Sequence, residues 1–365
     1  MRPCLLLTVA VAALVGCGPA GPAATNLERR SAGPSQPDRT LVLVARGQPE
    51  TLADKVPLRS TGLRLTTTPR VFNASLALID GRDVAHPYLV ESLPRLGTED
   101  WKVLPDGRME TRYALRANLT WHDGAPLTAD DFVFAHRVYS QPEFGHAALP
   151  PFRQIQEVVA ADERTLVIRW AELFANAARL DSEDFPPLPR RLLEAAFRDD
   201  APQAFVHEPY WTTGYVAAGP YRLQRWEPGA FIEARSFDGH ALGAPRITRL
   251  RIQLTTARTA CWPCSAGFTS TRIGNPENRW VGGNRSGWSN PEYDGTFEAF
   301  NRTLDSDERN RQMAAMARLV SELVPTISLY FQPRLIAHVA TLGGPAPLSP
   351  NSEVSWNIHE WQWLE

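Results

Sequence analysis

Three β-hairpins are predicted by the alternation of apolar and polar residues along the chain. In residues 101–115, two alternating runs flank Pro105-Asp106-Gly107, a sequence typical of a tight turn. Residues 157–170 and 219–236 repeat this arrangement around turn sequences of their own. Antiparallel strand pairs are therefore expected to make up much of the fold.

Shorter signals predict further strands and one short helix. The apolar runs TLVLVA at 40–45 and RITRLRIQL at 246–254 predict single strands, and we expect the first of them to be buried. A helix is expected at about residues 189–198. Beyond Pro325, the runs TISLYF and RLIAHVA predict two late strands.

Two stronger helical signals stand elsewhere in the chain. Residues 128–131 (TADD) form a capping-box sequence, which predicts a helix start followed by the core residues Phe132, Phe134 and Ala135. The clearest helical period runs from Asp305 to Leu323. Apolar side chains recur there every three or four residues, at Met313, Met316, Ala317, Val320 and Leu323.

The order of these elements predicts the fold class. Strands and helices alternate irregularly and the sequence has no internal repeat, which favours an α/β or α+β fold with a mixed sheet. Residues 255–287 are polar, rich in Gly and Asn, and show neither the apolar period of a helix nor that of a strand. So long a stretch without a pattern is uncommon inside a compact domain.

The amino-acid composition limits the classes of function that the chain can have. The 365 residues carry a formal net charge of -2 and are 43% hydrophobic, which fits one large or two moderate globular domains. No long run of Lys or Arg is present to neutralise phosphates, so we expect no binding to nucleic acid. The 31 prolines favour a loop-rich fold over a helical bundle.

The N-terminal residues resemble an export signal. The apolar run from Leu5 to Val15 is too short for a permanent membrane span and matches the core of a signal peptide. It ends in LVGC, which resembles a bacterial lipoprotein signal and implies cleavage before Cys17 with lipid on its sulfur. Two or more acyl chains give stable anchoring. The alternative is a plain signal peptide with an incidental cysteine. Residues 18–40 then predict a flexible tether.

Four polar side chains between residues 122 and 131 form the densest candidate site, and they are His122, Asp123, Asp130 and Asp131. Their spacing suggests a metal or acid–base site. A structural role is favoured, because Asp123 can bond to its own turn and Asp131 can reach back to the helix N-terminus. Asp130 in the first turn also interacts favourably with the helix dipole.

Cys261 and Cys264 form a C-x-x-C motif, which occurs in redox pairs and in zinc sites. A redox pair normally lies at a helix N-terminus, and the flanking residues do not predict a helix. Zinc would need two further ligands, and the sequence has no matching motif. In an oxidising exported compartment, a tight local disulfide or an incidental pair is favoured.

No catalytic motif is found, since G-x-S-x-G, H-E-x-x-H and Gly-rich phosphate loops are all missing from the sequence. We therefore expect no enzyme activity, no metal and no cofactor. Aromatic residues crowd two regions, where they form either core or the wall of a binding cleft. These residues are Tyr210, Trp211, Tyr215 and Tyr221 in the first region, and Trp356, Trp361 and Trp363 in the second.

Several segments in order resemble the extracytoplasmic solute-binding proteins of ABC importers, family 5, the oligopeptide/dipeptide/nickel-binding group. The strongest is LRANLTWHDGAPLTADDFVFAHR, which is similar to the hairpin-to-helix segment of that family. Others are PETLAD, PPLPRRLLE, AAGPYRLQRWEPGAFIEARS and WSNPEYD. The resemblance covers residues 41–254 and 288–365.

This resemblance implies a periplasmic-binding-protein type II clamshell, an α/β fold of two lobes that close over a solute. It implies a peptide or another small solute as ligand, a membrane permease as partner, and a monomer anchored to the cell envelope through Cys17, facing the periplasm or exterior. Residues 41–254 and 288–365 would form lobe I. The irregular residues 255–287 would replace most of lobe II, so the family's ligand contacts cannot be assigned to positions in this chain.

Three functions are therefore open at this stage. The first is solute capture for an ABC importer, with oligopeptides as the expected class. The second is a truncated scaffold that folds without transporting. The third is an exported thiol oxidoreductase that uses Cys261 and Cys264.

Overall fold

The structure is a computed structural model, and it describes residues 39–55, 69–197, 202–255, 265–276, 280, 283–327, 336–346 and 353–365. The strands in these ranges are β1 (Thr40–Arg46), β2 (Ala77–Ile79), β3 (Ala85–Pro87), β4 (Trp101–Val103), β5 (Met109–Ala114), β6 (Ile155–Asp162), β7 (Thr165–Trp170), β8 (Tyr221–Glu227), β9 (Phe231–Ser236), β10 (Arg249–Thr255), β11 (Leu342–Gly343) and β12 (Gln362–Trp363). The α-helices are α1 (Pro69–Phe72), α2 (Ala129–Tyr139), α3 (Arg190–Leu193), α4 (Pro202–Phe205), α5 (Pro291–Arg302) and α6 (Ser306–Leu323).

Two four-stranded sheets carry the fold. The mixed sheet has the order β1-β10-β9-β8, in which β1 is parallel to β10 and the other pairs are antiparallel. The antiparallel sheet has the order β4-β5-β7-β6. The three predicted hairpins are confirmed as β4–β5, β6–β7 and β8–β9. With helices packed among these strands, the predicted mixed α/β class is also confirmed.

One continuous hydrophobic core lies beneath both sheets. Leu250 and Ile252 of the mixed sheet belong to the same buried cluster as Ile168 and Trp170 of the antiparallel sheet. Helix α2 packs against this core through the predicted residue Phe132, whose burial contributes about 2–3 kcal/mol. Phe134 and Ala135 are buried as predicted.

Helices α5 and α6 form a hairpin with a small core of its own, made of Tyr293, Met316 and Leu319. Each helix begins at a capping residue: the Asn290 side chain accepts a hydrogen bond from the Tyr293 N–H (2.9 Å), and the Asp305 side chain accepts one from the Glu308 N–H (2.8 Å). The bounds of α6 confirm the predicted helix. We call this unit the helical hairpin.

Several local predictions were wrong. The run at 40–45 forms an edge strand whose Val42 and Val44 are exposed, so it is not buried on both faces. The helix expected at about 189–198 is a single turn, Arg190–Leu193, in the described part of that segment. The described part of RLIAHVA, residues 336–340, is not a strand, and most of TISLYF lies outside the described residues.

Candidate functional site

Asp131 has the structural role that the capping-box sequence predicted. Its carboxylate accepts a hydrogen bond from the Thr128 N–H (2.9 Å), the residue at which α2 begins. It also accepts bonds from the Trp121 indole N–H (3.2 Å) and the Arg190 N–H (2.9 Å). Burial raises the pKa of Asp131, and these donors act against that rise. One carboxylate therefore joins three segments of the chain.

The two neighbouring carboxylates also have structural partners. Asp123 accepts a hydrogen bond from the Ala125 N–H within its own turn (3.2 Å) and forms an ion pair with Arg191. Asp130 lies 3.5 Å from the Arg190 guanidinium at the surface. Asp123 and Asp131 thus make the structural contacts predicted for them, and Asp130 makes a surface ion pair.

His122 is a buried, neutral side chain. Its Nε2 donates a hydrogen bond to the Gly219 carbonyl (3.0 Å), and its Nδ1 accepts one from the Ala217 N–H (3.3 Å). Burial lowers the pKa of His122 to about 4. Both ring nitrogens of His122 are hydrogen-bonded to backbone groups. His122 therefore links the turn before α2 to residues 217–221, the AAGPY segment.

A second buried histidine is likewise structural. His240 donates from Nδ1 to the Gly243 carbonyl (2.8 Å) and accepts from the Tyr88 hydroxyl at Nε2 (2.8 Å). Burial lowers the pKa of His240 to about 4 as well. Within the described residues, no group of three or more His, Cys, Asp and Glu side chains is arranged to hold a metal ion.

A polar cleft of about 240 Å³ is the best candidate for a binding site. It is built from the short helix α1, the β2–β3 turn, a 3-10 turn at Ala177–Arg179 and the turn that follows it. Its lining residues are Arg70, Ile79, Asp83, Asn176, Arg179, Asp181, Glu183, Asp184 and Glu353. Five of them are carboxylates and two are guanidinium groups, so the cleft carries a net negative charge.

The floor of the cleft is a buried ion pair. The Arg70 guanidinium, only 7% exposed, donates to Asp181 Oδ2 (2.8 Å) and to the Ser182 hydroxyl (3.2 Å). Burial alone would lower the pKa of Arg70, but Asp181, Glu353 and Asp54 raise it above its ordinary value. Breaking such a pair on one side leaves an uncompensated buried charge, so it holds α1 firmly against residues 181–182.

Asp184 is the unusual titratable group of the cleft. Burial, and then the negative charge of Asp181, raise its pKa to about 7, while Lys55 acts in the opposite direction. A carboxyl group with this pKa is partly protonated near neutrality. A cation that enters the cleft would favour its ionised form.

The helical hairpin contacts the rim of the cleft. The Arg309 guanidinium of α6 donates to the Asn176 side chain (3.0 Å), and Asn176 lines the cleft. In the same turn, Arg179 donates to the carbonyl and carboxylate of Asp83 (2.8 and 3.0 Å). Asp83 has a left-handed backbone (φ 66°), which turns it toward Arg179.

The sequence patterns did not indicate the cleft. Arg70 and Asp181 are far apart in sequence and belong to short irregular segments, and the only local signal is the acidic run DSED at 181–184. The predicted aromatic cluster at Tyr210, Trp211, Tyr215 and Tyr221 is buried core. Cys17, Cys261 and Cys264 lie outside the described residues, so their predicted roles remain predictions. None of the α-helices in the described ranges combines the length and apolar content that a membrane span requires.

Sequence comparison identifies relatives of known class. A family profile described as "Bacterial extracellular solute-binding proteins, family 5 Middle" matches residues 92–264. The dipeptide-binding protein of Escherichia coli is 26% identical over 238 residues, which cover 60% of this chain and 41% of that protein. A Brucella ovis protein named as an ABC transporter peptide-binding protein is 23% identical over 134 residues, 37% of this chain and 24% of that protein. The chain thus covers less than half the length of these relatives.

Solved structures with a similar backbone carry related names. One is the oligopeptide-binding protein of Thermus thermophilus with a pentapeptide (TM-score 0.49, 19% identity, 60% of this chain and 41% of that chain). Another is AppA of Bacillus subtilis with a nonapeptide (TM-score 0.47, 19% identity, 60% and 40%).

The profile match places residues 92–264, just under half of the chain, among regions similar to bacterial extracellular solute-binding proteins. Within that class the matching profile is that of family 5. The family resemblance of the sequence motifs is confirmed for this matched region.

Proposed function

We propose that this chain captures a small solute, with oligopeptides as the solute class, for an ABC importer. The observation that carries the proposal is the cleft in which Asp181, Asp184 and Glu353 lie around the buried Arg70 guanidinium. The family 5 profile match supports the transport role, and the names of the E. coli and B. subtilis relatives support peptides.

The charge of the cleft favours one end of a peptide. Five carboxylates against two guanidinium groups attract the ammonium group at a peptide's N-terminus. Asp184, with its pKa near 7, becomes fully ionised when that ammonium group approaches. The binding mode proposed here is therefore capture of the free amino end.

Titration of the purified chain with di- to pentapeptides, each paired with its N-acetylated form, tests this proposal. Free peptides should bind more tightly than acetylated ones. Asp184→Asn should reduce that difference several-fold, whereas Asp238→Asn, an exposed aspartate outside the cleft, should leave it unchanged. Equal binding of free and acetylated peptides, or equal effects of the two variants, would contradict the amino-end mode.

We also propose that the chain works on a lipid anchor at Cys17, with residues 18–40 as the tether. The LVGC sequence behind a short apolar run supports this. In a bacterial host, Cys17→Ser should release the chain from the membrane fraction or leave it unprocessed. A variant that is processed and retained as before would show that the anchor does not depend on Cys17.

The alternative is a truncated scaffold that folds without delivering solute. We propose that residues 41–254 and 288–365 correspond to lobe I and that residues 255–287 replace most of lobe II. The short connection between β10 and α5 supports this division, because a lobe would require a segment of domain size. If no peptide binds in the titration, the scaffold becomes the better description.

A further inference from the structure

The mixed sheet has one buried and one exposed face. Along β10, Leu250, Ile252 and Leu254 are buried, while the residues between them reach the opposite side of the sheet. Successive side chains of a strand point to opposite faces, so the pairing register determines which residues share the exposed side.

Three rows of side chains cross this exposed side in register. The first row is Thr40, Arg249, Arg235 and Arg222; the second is Val42, Arg251, Glu233 and Arg225; the third is Val44, Gln253, Phe231 and Glu227. We call these twelve residues the arginine face. Five of them are arginines and two are glutamates.

The charges on the arginine face are only partly balanced. Arg225 pairs with Glu227 (2.8 Å), and Arg251 pairs with Glu233 (3.3 Å) while stacking on the Phe231 ring (3.8 Å). In the first row, Arg222 and Arg235 are exposed and have no ion pair with any residue that the structure describes. Three guanidinium groups therefore lie side by side on neighbouring strands.

In the antiparallel sheet of the same molecule, an exposed arginine is paired with residues of opposite charge on the neighbouring strands. There Arg169 lies between two glutamates, 3.3 Å from Glu110 and in an ion pair with Glu157 on the other side. Like charges directly opposite on neighbouring strands destabilise a sheet. The directly opposed pair Arg222 and Arg235 thus costs stability in the isolated chain, and a negatively charged surface would remove that cost.

We propose that the arginine face binds the surface of a bilayer that contains anionic phospholipids. Guanidinium groups form bidentate hydrogen bonds with phosphate oxygens, and a flat row of them matches a layer of headgroups. Val42 and Val44, 55% and 66% exposed at the β1 edge of the face, add apolar contact at the headgroup boundary.

The position of the tether favours a bilayer over an acidic protein. The tether ends where β1 begins, at Thr40, which is itself part of the arginine face. If residues 18–40 act as the tether proposed above, a flexible chain of that length would have an end-to-end distance of about 25 Å. If Cys17 carries lipid as proposed, the strand at the edge of the arginine face is the part of the fold held nearest the membrane.

Vesicle binding by the full chain with Cys17→Ser tests the proposal without any contribution from acylation. The readout is the ratio of partition coefficients for vesicles with and without phosphatidylglycerol, so that contributions common to both vesicles cancel. Each arginine near an anionic surface contributes about fivefold to this ratio, so Arg222→Gln/Arg235→Gln/Arg249→Gln should lower it about a hundredfold at low salt.

Two matched variants make the test specific. Arg82→Gln/Arg95→Gln/Arg112→Gln changes the net charge equally at exposed positions outside the arginine face and should leave the ratio unchanged. Arg222→Lys/Arg235→Lys/Arg249→Lys keeps the charge and should keep most of the binding. All variants should show the thermal transition of the parent chain, which excludes unfolding as the cause.

Three outcomes would overturn the proposal. The parent chain could partition equally into both kinds of vesicle, or the two glutamine variants could lose binding equally. The third is binding to polyglutamate without binding to anionic vesicles, which would assign the arginine face to an acidic protein partner.

Discussion

Gly219 lies where two backbone segments come into close contact. Its N–H donates to the Phe72 carbonyl (2.9 Å), and its own carbonyl accepts the bond from His122. A Cβ atom at this position would come within 2.5 Å of the Asn73 backbone nitrogen, which is rigid and buried. The AAGPY segment therefore requires glycine because of its packing against α1.

Gly219→Ala should lower the free energy of unfolding by about 2–3 kcal/mol, because either backbone segment must move to accept the methyl group. Gly295→Ala is the matched control. Gly295 lies within α5 with open space around it, so alanine should raise stability by about 0.5–1 kcal/mol. Urea denaturation of both variants measures the difference. Equal effects of the two substitutions on the free energy of unfolding would show that the backbone around Gly219 can move to accept a methyl group.

Asp184 makes stability depend on pH. Its pKa of about 7 in the folded chain lies above the ordinary value, so the folded state binds the proton more tightly than the unfolded state. Stability from this group is present at low pH and is lost as pH rises from about 4 to about 7. The Asp184→Asn variant should not show this loss and should be more stable than the parent above pH 7, by about 4 kcal/mol for a pKa rise of about three units.

Denaturation curves between pH 4 and pH 8, a range that spans both pKa values, check this prediction. Asp238→Asn serves as the control and should follow the parent chain. A parent-to-variant difference that does not change with pH would show that Asp184 is ionised throughout.

At the level of elements, the sequence patterns correctly predicted the structures that form through contacts between residues close together in the chain. The three hairpins and the start of α2 depend on turn and capping sequences within a few residues of each other. The cleft depends instead on Arg70 meeting Asp181, and on Ser75 donating to the Phe185 carbonyl (2.7 Å), contacts between segments far apart in the chain. Such contacts have no periodic signal, so the candidate site could not be predicted.

The face of α6 was predicted incorrectly for a related reason. Of the predicted apolar positions, Met316 is buried, but Met313 and Leu323 are exposed. Leu319, which the predicted period does not include, is buried. The orientation of α6 is set by α5, whose Tyr293 contacts this rotated face. Helix α5 was itself missed, because its sequence PEYDGTFEAFNR has few apolar residues.

The helical hairpin should open separately from the main core. Its apolar cluster is distinct from the large one, and it joins the rest of the chain largely through polar contacts: Arg153 with Glu298 (2.5 Å), Arg302 with Glu172 (2.5 Å), and a backbone bond between Ala175 and Asn301 (3.0 Å). Exposed ion pairs contribute little, about 0–1 kcal/mol each. The hairpin therefore depends on its own small core.

Tyr293→Ala should speed amide hydrogen exchange in residues 291–323 at least tenfold and leave the strands of both sheets unchanged. Met313→Ala, which removes an exposed side chain of the same hairpin (52% exposed), should have no such effect. Faster exchange throughout the sheets of the Tyr293→Ala variant would mean that the hairpin and the main core unfold as one unit.

On the scale of the whole molecule, folding of the core and binding of a solute require different parts of the structure. We expect the continuous core beneath the two sheets to support cooperative folding of the described part of the chain. A clamshell, by contrast, buries its solute between two walls. A site with only one wall makes fewer apolar contacts with the solute and does not exclude water from it.

We therefore expect the purified chain to be a monomer with one main thermal transition and to bind peptides with millimolar affinity at best. Scanning calorimetry and sedimentation check the first part, and titration with a random peptide library checks the second. Micromolar binding would show that the described cleft suffices alone and that residues 255–287 do not mark a lost lobe.

The parallel pairing of β1 with β10 has a consequence for the order of folding. Strand β1 precedes the other strands, yet the partner that the described residues give it begins at Arg249, so this pairing cannot form until most of the chain has been synthesised. During that time TLVLVA is a short apolar, β-prone segment of the kind that aggregates. Arg39 and Arg46, which flank this segment, are positively charged residues that oppose its self-association. Completion of the mixed sheet is accordingly a late step, and export before that step would deliver the chain with its first strand still open.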